Sequence, residues 1–239
     1  MKDLHCHIMY GIDDGAKTIE DSMIMLQRQA NEGVTDIILT PHYIEDTNYN
    51  CNNEKKIDLY NIIYYEAKKR NIIINIYLGN EVMANNNLLS QLQTEILTLN
   101  GSRYLLIEST MEKEYPDFDI IIRELLENNI IPIIAHPERY SFVKKDIKWV
   151  DDYIEMGALF QGDYESLFGK YGNTANKTLR KLIKQGKIHF LGSDMHKPNS
   201  AINASKVKEV LKKLIKDESK IEDILSNNFD KVIRNELIG

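Results

Sequence analysis

Apolar and polar positions change period repeatedly along this chain, and the changes mark out a recurring order of elements. The opening segment Lys2-Asp3-Leu4-His5-Cys6-His7 alternates as an extended strand does, so His5 and His7 share one face and Leu4 and Cys6 the other. Over 18–32 the apolar residues Ile19, Met23, Leu26 and Ala30 fall at helical spacing, and Gly33 follows as a C-terminal cap. Residues 34–39 form a β-branched run stopped by Thr40-Pro41-His42. A helix is predicted over 54–70, with Ile57, Tyr60, Tyr64 and Ala67 on one face, then a strand over 72–78 that ends in Gly79-Asn80-Glu81. The same reading gives a strand at 104–107 ending at Glu108, a helix at 118–128, and a strand at 130–135 ending in His136-Pro137-Glu138-Arg139. A helix at 147–156, a short strand at 158–161, a helix at 174–185 and a strand at 188–191 follow, the last ending in Gly192-Ser193-Asp194-Met195-His196. Helices over 205–216 and 221–237 close the chain.

Strands alternating with helices imply βαβ units and a parallel sheet. Polar residues stand just past the first, second, third, fourth, fifth and seventh of the predicted strands. An open doubly wound sheet gathers its ligand at one switch point, whereas polar strand ends this widely spread converge only if the sheet closes. The expected architecture is therefore a seven-stranded α/β barrel, with functional residues at the C-terminal ends of the strands. A length of 239 residues, 43% of them hydrophobic, fits one such domain over 1–239. A formal charge of −6 argues against duplex nucleic acid as the main partner. Two cysteines, Cys6 and Cys51, make no disulfide framework, which points to a reducing cytoplasm. The chain opens straight into its first strand, so no secretory signal is expected, and no apolar run approaches the roughly 18 residues of a membrane span.

Chemistry enters at the strand ends. Of six histidines, five (His5, His7, His42, His136 and His196) stand beside turn residues or carboxylates, while His189 lies inside an apolar run and is expected to face the outer helices. Two imidazoles at alternate positions make half of a metal site, and Asp194-x-His196 repeats the device. Glu81 and Glu108 each stop a nearly apolar strand, where a carboxylate needs a cation. Asp14 is favoured as a further ligand, and Asp13 is read equally as ligand or turn residue. Five imidazoles and four carboxylates (Asp14, Glu81, Glu108 and Asp194) without thiolate suit two or three ions with bridging carboxylates. Manganese, iron, zinc and magnesium all accept such donors. Closely spaced ions of this kind bind hydroxide and clamp the oxygens of a displacement at phosphorus, with Arg139 as a permanent cation for phosphate oxygens.

The ordered motifs DLHCHIMYGIDDGAKT, TPHY, GNEV, LLIES, IIAHPERY and GSDMH resemble the PHP (polymerase and histidinol phosphatase) superfamily. Within it the chain is most similar to the manganese-dependent protein-tyrosine phosphatases of bacterial capsule and exopolysaccharide operons. The resemblance runs through nearly the whole chain. It implies a distorted, TIM-like seven-stranded barrel and a metal-dependent phosphomonoesterase that works by attack of a metal-bound hydroxide. By the same resemblance His5, His7 and Asp194 hold one ion and Glu81 bridges. Glu108 and His136 hold a second ion, and Asp14, His42 and His196 a third. Arg139 binds the phosphoryl group and, with His136, Asp14 and His42, counts among the catalytic residues. The implied partner is the phosphotyrosine-rich tail of a bacterial tyrosine kinase that controls polysaccharide export.

One departure stands out. The family's second phosphate-gripping arginine, a few residues past the Asp-x-His motif, is absent: the chain reads His196-Lys197-Pro198-Asn199-Ser200-Ala201. Lys197, or Lys206 further on, is the nearest basic substitute for substrate binding. Two other readings compete. A small-molecule enzyme such as a histidinol-phosphate phosphatase tolerates the missing arginine, and a non-catalytic module could keep its metals for stability alone. Asp13, Glu138 or water supplies the leaving-group proton in the enzymatic readings.

Overall fold

The alternation of strand and helix is realised as an α/β fold built wholly on parallel pairing. The computed structural model describes residues 1–92 and 94–238. Among the described residues nine short strands are present: β1 Lys2–Cys6, β2 Asp36–Leu39, β3 His42–Tyr43, β4 Asn75–Leu78, β5 Glu81–Met83, β6 Tyr104–Glu108, β7 Ile131–Ala135, β8 Leu159–Asp163 and β9 Phe190–Gly192. They form a three-stranded sheet in the order β1-β2-β4 and a six-stranded sheet in the order β3-β5-β6-β7-β8-β9.

The two sheets are segments of one course. Leu39 pairs with Leu78 in the first and His42 with Glu81 in the second, so β3 and β5 continue β2 and β4 in register past a shared break. Pro41 has no N–H to give the ladder, and the break begins there. Across it Gly79 N–H donates to Leu39 O (2.9 Å) and Glu81 N–H to Pro41 O (3.2 Å). Counted as continuous paths, the strands number seven, as the sequence predicts, but two are longer and kinked. The missed halves are two and three residues long, too short to carry a period.

The remaining seam, between β9 and β1, is made without a regular ladder. Asp194 N–H donates to His5 O and His7 N–H to Met195 O, both at 2.9 Å. The Asp3 carboxylate, fully buried, accepts from Ser193 N–H (2.9 Å), His5 N–H (3.2 Å) and the Gln29 amide (2.9 Å). Burial pushes this carboxyl up to about 6, against the pull of the hydrogen bonds it accepts.

Residues alternate between two apolar environments. Leu4, Ile38, Leu106, Ile133, Ala135, Leu159 and Phe190 point inward and meet Phe229 and Val232 of the last helix, Asn228–Ile233. Their neighbours Ile37, Leu39, Leu105, Ile107, Ile134, Phe160 and Leu191 face the surrounding helices. β1 departs from the expected alternation. Cys6 packs outward with Ile8, Leu39 and Met23, but Leu4 joins the inward set, because the β1–β2 register shifts between Asp3 and Cys6.

The first helix, Ile19–Asn31, starts on a capping box between Thr18 and Asp21, and Gly33 leaves it at φ +85°. The last predicted helix, 221–237, is split instead into Glu218–Glu222, a wide turn at Asp223–Asn227, and Asn228–Ile233. Among the described residues no helix is long and apolar enough to cross a membrane.

The seam yields a stability prediction. Asp3→Ala strands buried donors on Ser193, His5 and Gln29, and each unsatisfied group costs roughly 1–3 kcal/mol. Urea unfolding of the metal-free protein should show a loss of about 3 kcal/mol or more, and Asp3→Asn, which keeps an acceptor, less than half of that. An alanine variant as stable as the parent would mean the carboxylate does not hold the seam.

Candidate metal centre

At the C-terminal ends of the strands one carboxylate sits among four imidazoles. Glu81 opens β5 just past the shared break and is fully buried. Its Oε2 lies 3.0 Å from His5 Nε2, 3.2 Å from His7 Nε2 and 3.1 Å from His42 Nδ1, yet makes no hydrogen bond. Its Oε1 lies 2.9 Å from His136 Nε2. Three nitrogens crowd one oxygen at angles that suit none of them, which is the arrangement expected of donors aimed at cations. Asp194 Oδ1 adds a second oxygen, 3.5 Å from His5 Nε2 and 3.3 Å from His7 Nε2. Glu108 reaches His42 Nδ1 at 3.3 Å and His136 Nε2 at 3.6 Å.

The outer ring nitrogens are tied down, which fixes the inner ones. His5 Nδ1 meets Gln161 Oε1 at 2.9 Å, His7 Nδ1 meets Asp13 Oδ2 at 2.9 Å, and His196 Nδ1 meets the Asp194 carbonyl at 3.0 Å. Each contact holds the proton on Nδ1 and leaves Nε2 free to take a metal, the usual support for a ligating histidine. Asp13 also accepts the backbone N–H groups of Gly15 and His42, at 2.9 and 3.0 Å. Its carboxylate is fully committed to positioning, which removes it from the candidates for leaving-group acid. Gly15 is required at its place, since a Cβ there would stand 2.1 Å from the His7 carbonyl oxygen.

Local backbone geometry aims the two ends that carry Arg139 and Asp194. His136 at φ +33° and Asp194 at φ +45° both leave their strands in the left-handed region, a strained position for residues with side chains. The turn after His136 brings Arg139 back over the site, where it pairs with Asp194 rather than with Glu138. Glu138 is fully buried and accepts from Asp163 N–H (3.0 Å) and the Ser166 hydroxyl (2.8 Å), away from the cluster. Burial and the nearby Asp163 push its carboxyl up to about 8, and its Oε1 is directed to the Asp163 backbone and Ser166.

All nine predicted ligand residues meet in one network. Among the described residues eight of them fall into three groups able to hold an ion: His5, His7, Glu81 and Asp194; His42, Glu81 and Glu108; and His7, Asp14, His42 and His196. His136 approaches the second group through Glu81 and Glu108. His7 and His42 each serve two groups, which spacing alone does not show. Asp14 is half exposed and His196 and His42 are partly open, so the third group forms the mouth and the first two the floor.

Burial opposes the charged imidazole, but Glu81 and Asp194 outweigh it and raise His5 to about 9. His7 is raised well above its ordinary value, against burial, by Asp13, Asp194 and Glu81. Lys197 and Ala201 are exposed, and Lys206 is taken up with Asn203 (3.1 Å). Cys6 points away, its thiol on the Ile38 carbonyl and pushed well up by burial. His189 lies off the site, where its Nδ1 accepts from Phe160 N–H.

Four residues near the centre escape the sequence reading: Gln161, Asp163, Lys170 and Tyr171. Gln161 and Asp163 stand two apart on β8, in step with inward Leu159, so the alternation that exposes His5 and His7 was available for them too.

A polar clamp spans the strand break beneath Glu81. Asn80, fully buried, donates to Pro41 O (2.9 Å) and accepts from Leu97 N–H (2.9 Å) and from the Lys56 ammonium (2.7 Å). Lys56 is itself buried and also donates to Glu95 O at 2.5 Å.

Comparison with known proteins gives the family and the fold. A family model described as capsular polysaccharide synthesis, CpsB/CapC, matches residues 1–234. CapC of Staphylococcus aureus is 35% identical over 82% of this chain and 77% of its own length. Tyrosine-protein phosphatase CpsB of Streptococcus pneumoniae is 32% identical over 84% of each chain. Among solved structures, crystal structures of YwqE from Bacillus subtilis and CpsB from Streptococcus pneumoniae, described as metal-dependent tyrosine phosphatases, are matched with a TM-score of 0.93 at 26% identity. That match covers 100% of this chain and 96% of the other. A histidinol phosphate phosphatase from Lactococcus lactis shares the fold, with a TM-score of 0.59 at 14% identity over 89% of this chain and 93% of that one.

The clamp makes a pH prediction. Burial lowers the Lys56 ammonium from 10.5 to about 7. Between those values the unfolded chain binds the extra proton, so stability rises with pH across that window. The urea midpoint should climb more between pH 7 and pH 9 in the parent than in Lys56→Met. Identical slopes would show that the ammonium keeps its hydration.

Proposed function

The chain belongs to the CpsB/CapC family of capsular polysaccharide synthesis, and from that membership and the donor set around Glu81 we propose a metal-dependent tyrosine-protein phosphatase. The observation that carries the reading is the buried Glu81 oxygen among three imidazole nitrogens, with the Arg139 guanidinium held beside the same cluster by Asp194. His5, His7, Asp14, His42, Glu81, Glu108, His136, Asp194 and His196 are assigned as the ligands of two or three ions. Manganese is the metal proposed, on the resemblance to manganese-dependent phosphatases, and the all nitrogen and oxygen donor set accepts it as it does iron, zinc or magnesium. Bound ions of this kind activate water for attack at phosphorus and neutralise the phosphoryl oxygens.

The protein's own residues do the rest. Gln161, Asp13 and the Asp194 carbonyl keep three imidazoles in the ligating tautomer. Arg139 offers phosphate a planar fork with a charge that cannot be lost. Cys6, turned outward with its proton firmly held, takes no part as nucleophile. The substrate proposed is a phosphotyrosine segment of a bacterial tyrosine kinase, met in the cytoplasm, in keeping with relatives named tyrosine-protein phosphatases.

Two outcomes follow. With manganese added, phosphotyrosine peptides should be hydrolysed in preference to histidinol phosphate. His136→Ala should lose upwards of ~100-fold in kcat/KM, while Cys6→Ser keeps most of it. Preference for histidinol phosphate would move the assignment to a small-molecule enzyme, and no turnover of either would leave a non-catalytic module. Independently, His5 stays protonated up to about 9 in the metal-free site, and coordination needs that proton removed. Calorimetric manganese titrations at pH 7.5 should therefore give apparent enthalpies that vary with the ionisation enthalpy of the buffer. Enthalpies independent of buffer would show that the metal-free cluster gives up no proton on metal binding at that pH.

A further inference from the structure

Outside the nine ligands, a second cation stands at the wall of the site. Lys170 follows Gly169, whose left-handed backbone (φ +91°) ends the turn Tyr164–Phe168 after β8. Its Nζ lies 3.4 Å from the Asp194 carbonyl oxygen and 3.6 Å from Asp163 Oδ2. The Tyr171 ring joins it to Arg139, whose Cζ is 4.3 Å from the ring centroid, with Lys170 Nζ at 4.7 Å. Tyr171 in turn gives its hydroxyl to Asp194 Oδ2 at 3.3 Å, the oxygen that also takes Arg139. Asp194 therefore divides its two oxygens. Oδ1 faces the imidazoles of the floor, and Oδ2 collects a guanidinium and a phenol at the wall, with an ammonium at the backbone beside them.

We infer that Lys170 is a substrate-binding residue that grips the transferred phosphoryl group together with Arg139. The inference rests on the phosphatase reading above and adds the second cation to it. A phosphomonoester dianion presents oxygens on more than one side, and one guanidinium covers only one of them. Lys170 is partly exposed, its contact with Asp163 exceeds hydrogen-bonding distance and its one hydrogen bond, to the Asp194 carbonyl, is long at 3.4 Å, so its ammonium can turn to an incoming anion at the loss of that bond alone. Tyr171 keeps the two cations at a fixed mutual spacing through its ring. Lys197 and Lys206 make no comparable approach to the cluster among the described residues.

The competing role for Lys170 is purely structural, the neutralisation of buried Asp163. Manganese-loaded Lys170→Met, Lys170→Arg and the double variant Lys170→Met/Asp163→Asn separate the two. For substrate binding, Lys170→Met should raise KM for a phosphotyrosine peptide and weaken inhibition by inorganic phosphate, each by about 10-fold or more, with metal content unchanged. Lys170→Arg should recover most of both, and the double variant should recover neither. Restoration by Asp163→Asn, a parallel loss of manganese, or an unchanged phosphate affinity in Lys170→Met would each overturn the proposal. Equilibrium dialysis of phosphate against the loaded protein reads Lys170 without turnover. A protein that binds phosphate through Lys170 but hydrolyses no phosphotyrosine would thus contradict the phosphatase reading and spare this one.

Discussion

Everything at the open end of this fold depends on keeping the Glu81 carboxylate ionised where no water reaches it. Burying such a charge unpaired costs several kcal/mol. The cost is offset by His5, His42 and His136, which hold Glu81 well below the usual carboxylate range against the opposing effect of burial. Imidazoles at such a site are useful only if their rings are oriented, and for His5 and His7 the orienting groups lie outside their own strand. Gln161 comes from the eighth strand, and Asp13, which sets His7, from the turn after the first. A single buried charge thus specifies the conformation of loops from several βα units.

The same requirement explains the shared break in the second and third strand paths. A carboxylate at the end of an uninterrupted apolar strand would follow the barrel wall. Interrupting both neighbouring paths at the same level, at Thr40-Pro41 and Gly79-Asn80, lets His42 and Glu81 pair directly across the new segment. Across the break the ladder is sparse, and Asn80 reinforces it with a second hydrogen bond to Pro41 O, which also accepts from Glu81 N–H, while Lys56 and Leu97 N–H satisfy its own oxygen. Replacing Asn80 by an apolar residue would remove the polar contacts but not the groups that need them.

How much of this was legible in the sequence follows from the length over which each signal extends. Long apolar runs and helical faces placed the seven strand paths and most helices, and histidines or carboxylates just past a strand marked all nine donors that the structure brings together. Signals two or three residues long were lost. β3 and β5 carry no period of their own, and the register shift in β1 turns Leu4 inward against a rule that holds for Cys6. Asp163 was hidden because β8 runs two residues past the predicted strand end at Gln161, and Gln161, though inside that strand, carries neither charge nor imidazole to mark it. Glu138 looked like an accessible acid beside His136, and only the fold shows it turned under the Asp163 backbone. Lys170 and Tyr171 carried no motif at all. What sets them apart is proximity to Asp194, twenty-odd residues further on, which only the closing of β8 against β9 creates.

Charge is distributed across the centre in a way that separates its two tasks. Carboxylates dominate the floor, where Glu81, Glu108 and Asp194 present oxygens to whatever cations enter, and the wall carries Arg139, with Lys170 beside it. Asp194 belongs to both. Its Oδ2 holds Arg139 in place through a single nitrogen, Nη1, and leaves the other guanidinium N–H groups for a ligand. On the proposed reading, cations at Oδ1 would take up part of the carboxylate's charge, weaken its hold on the guanidinium and strengthen the field that an arriving anion meets. Metal and phosphate would then favour each other's binding, with Asp194 as the residue that couples them.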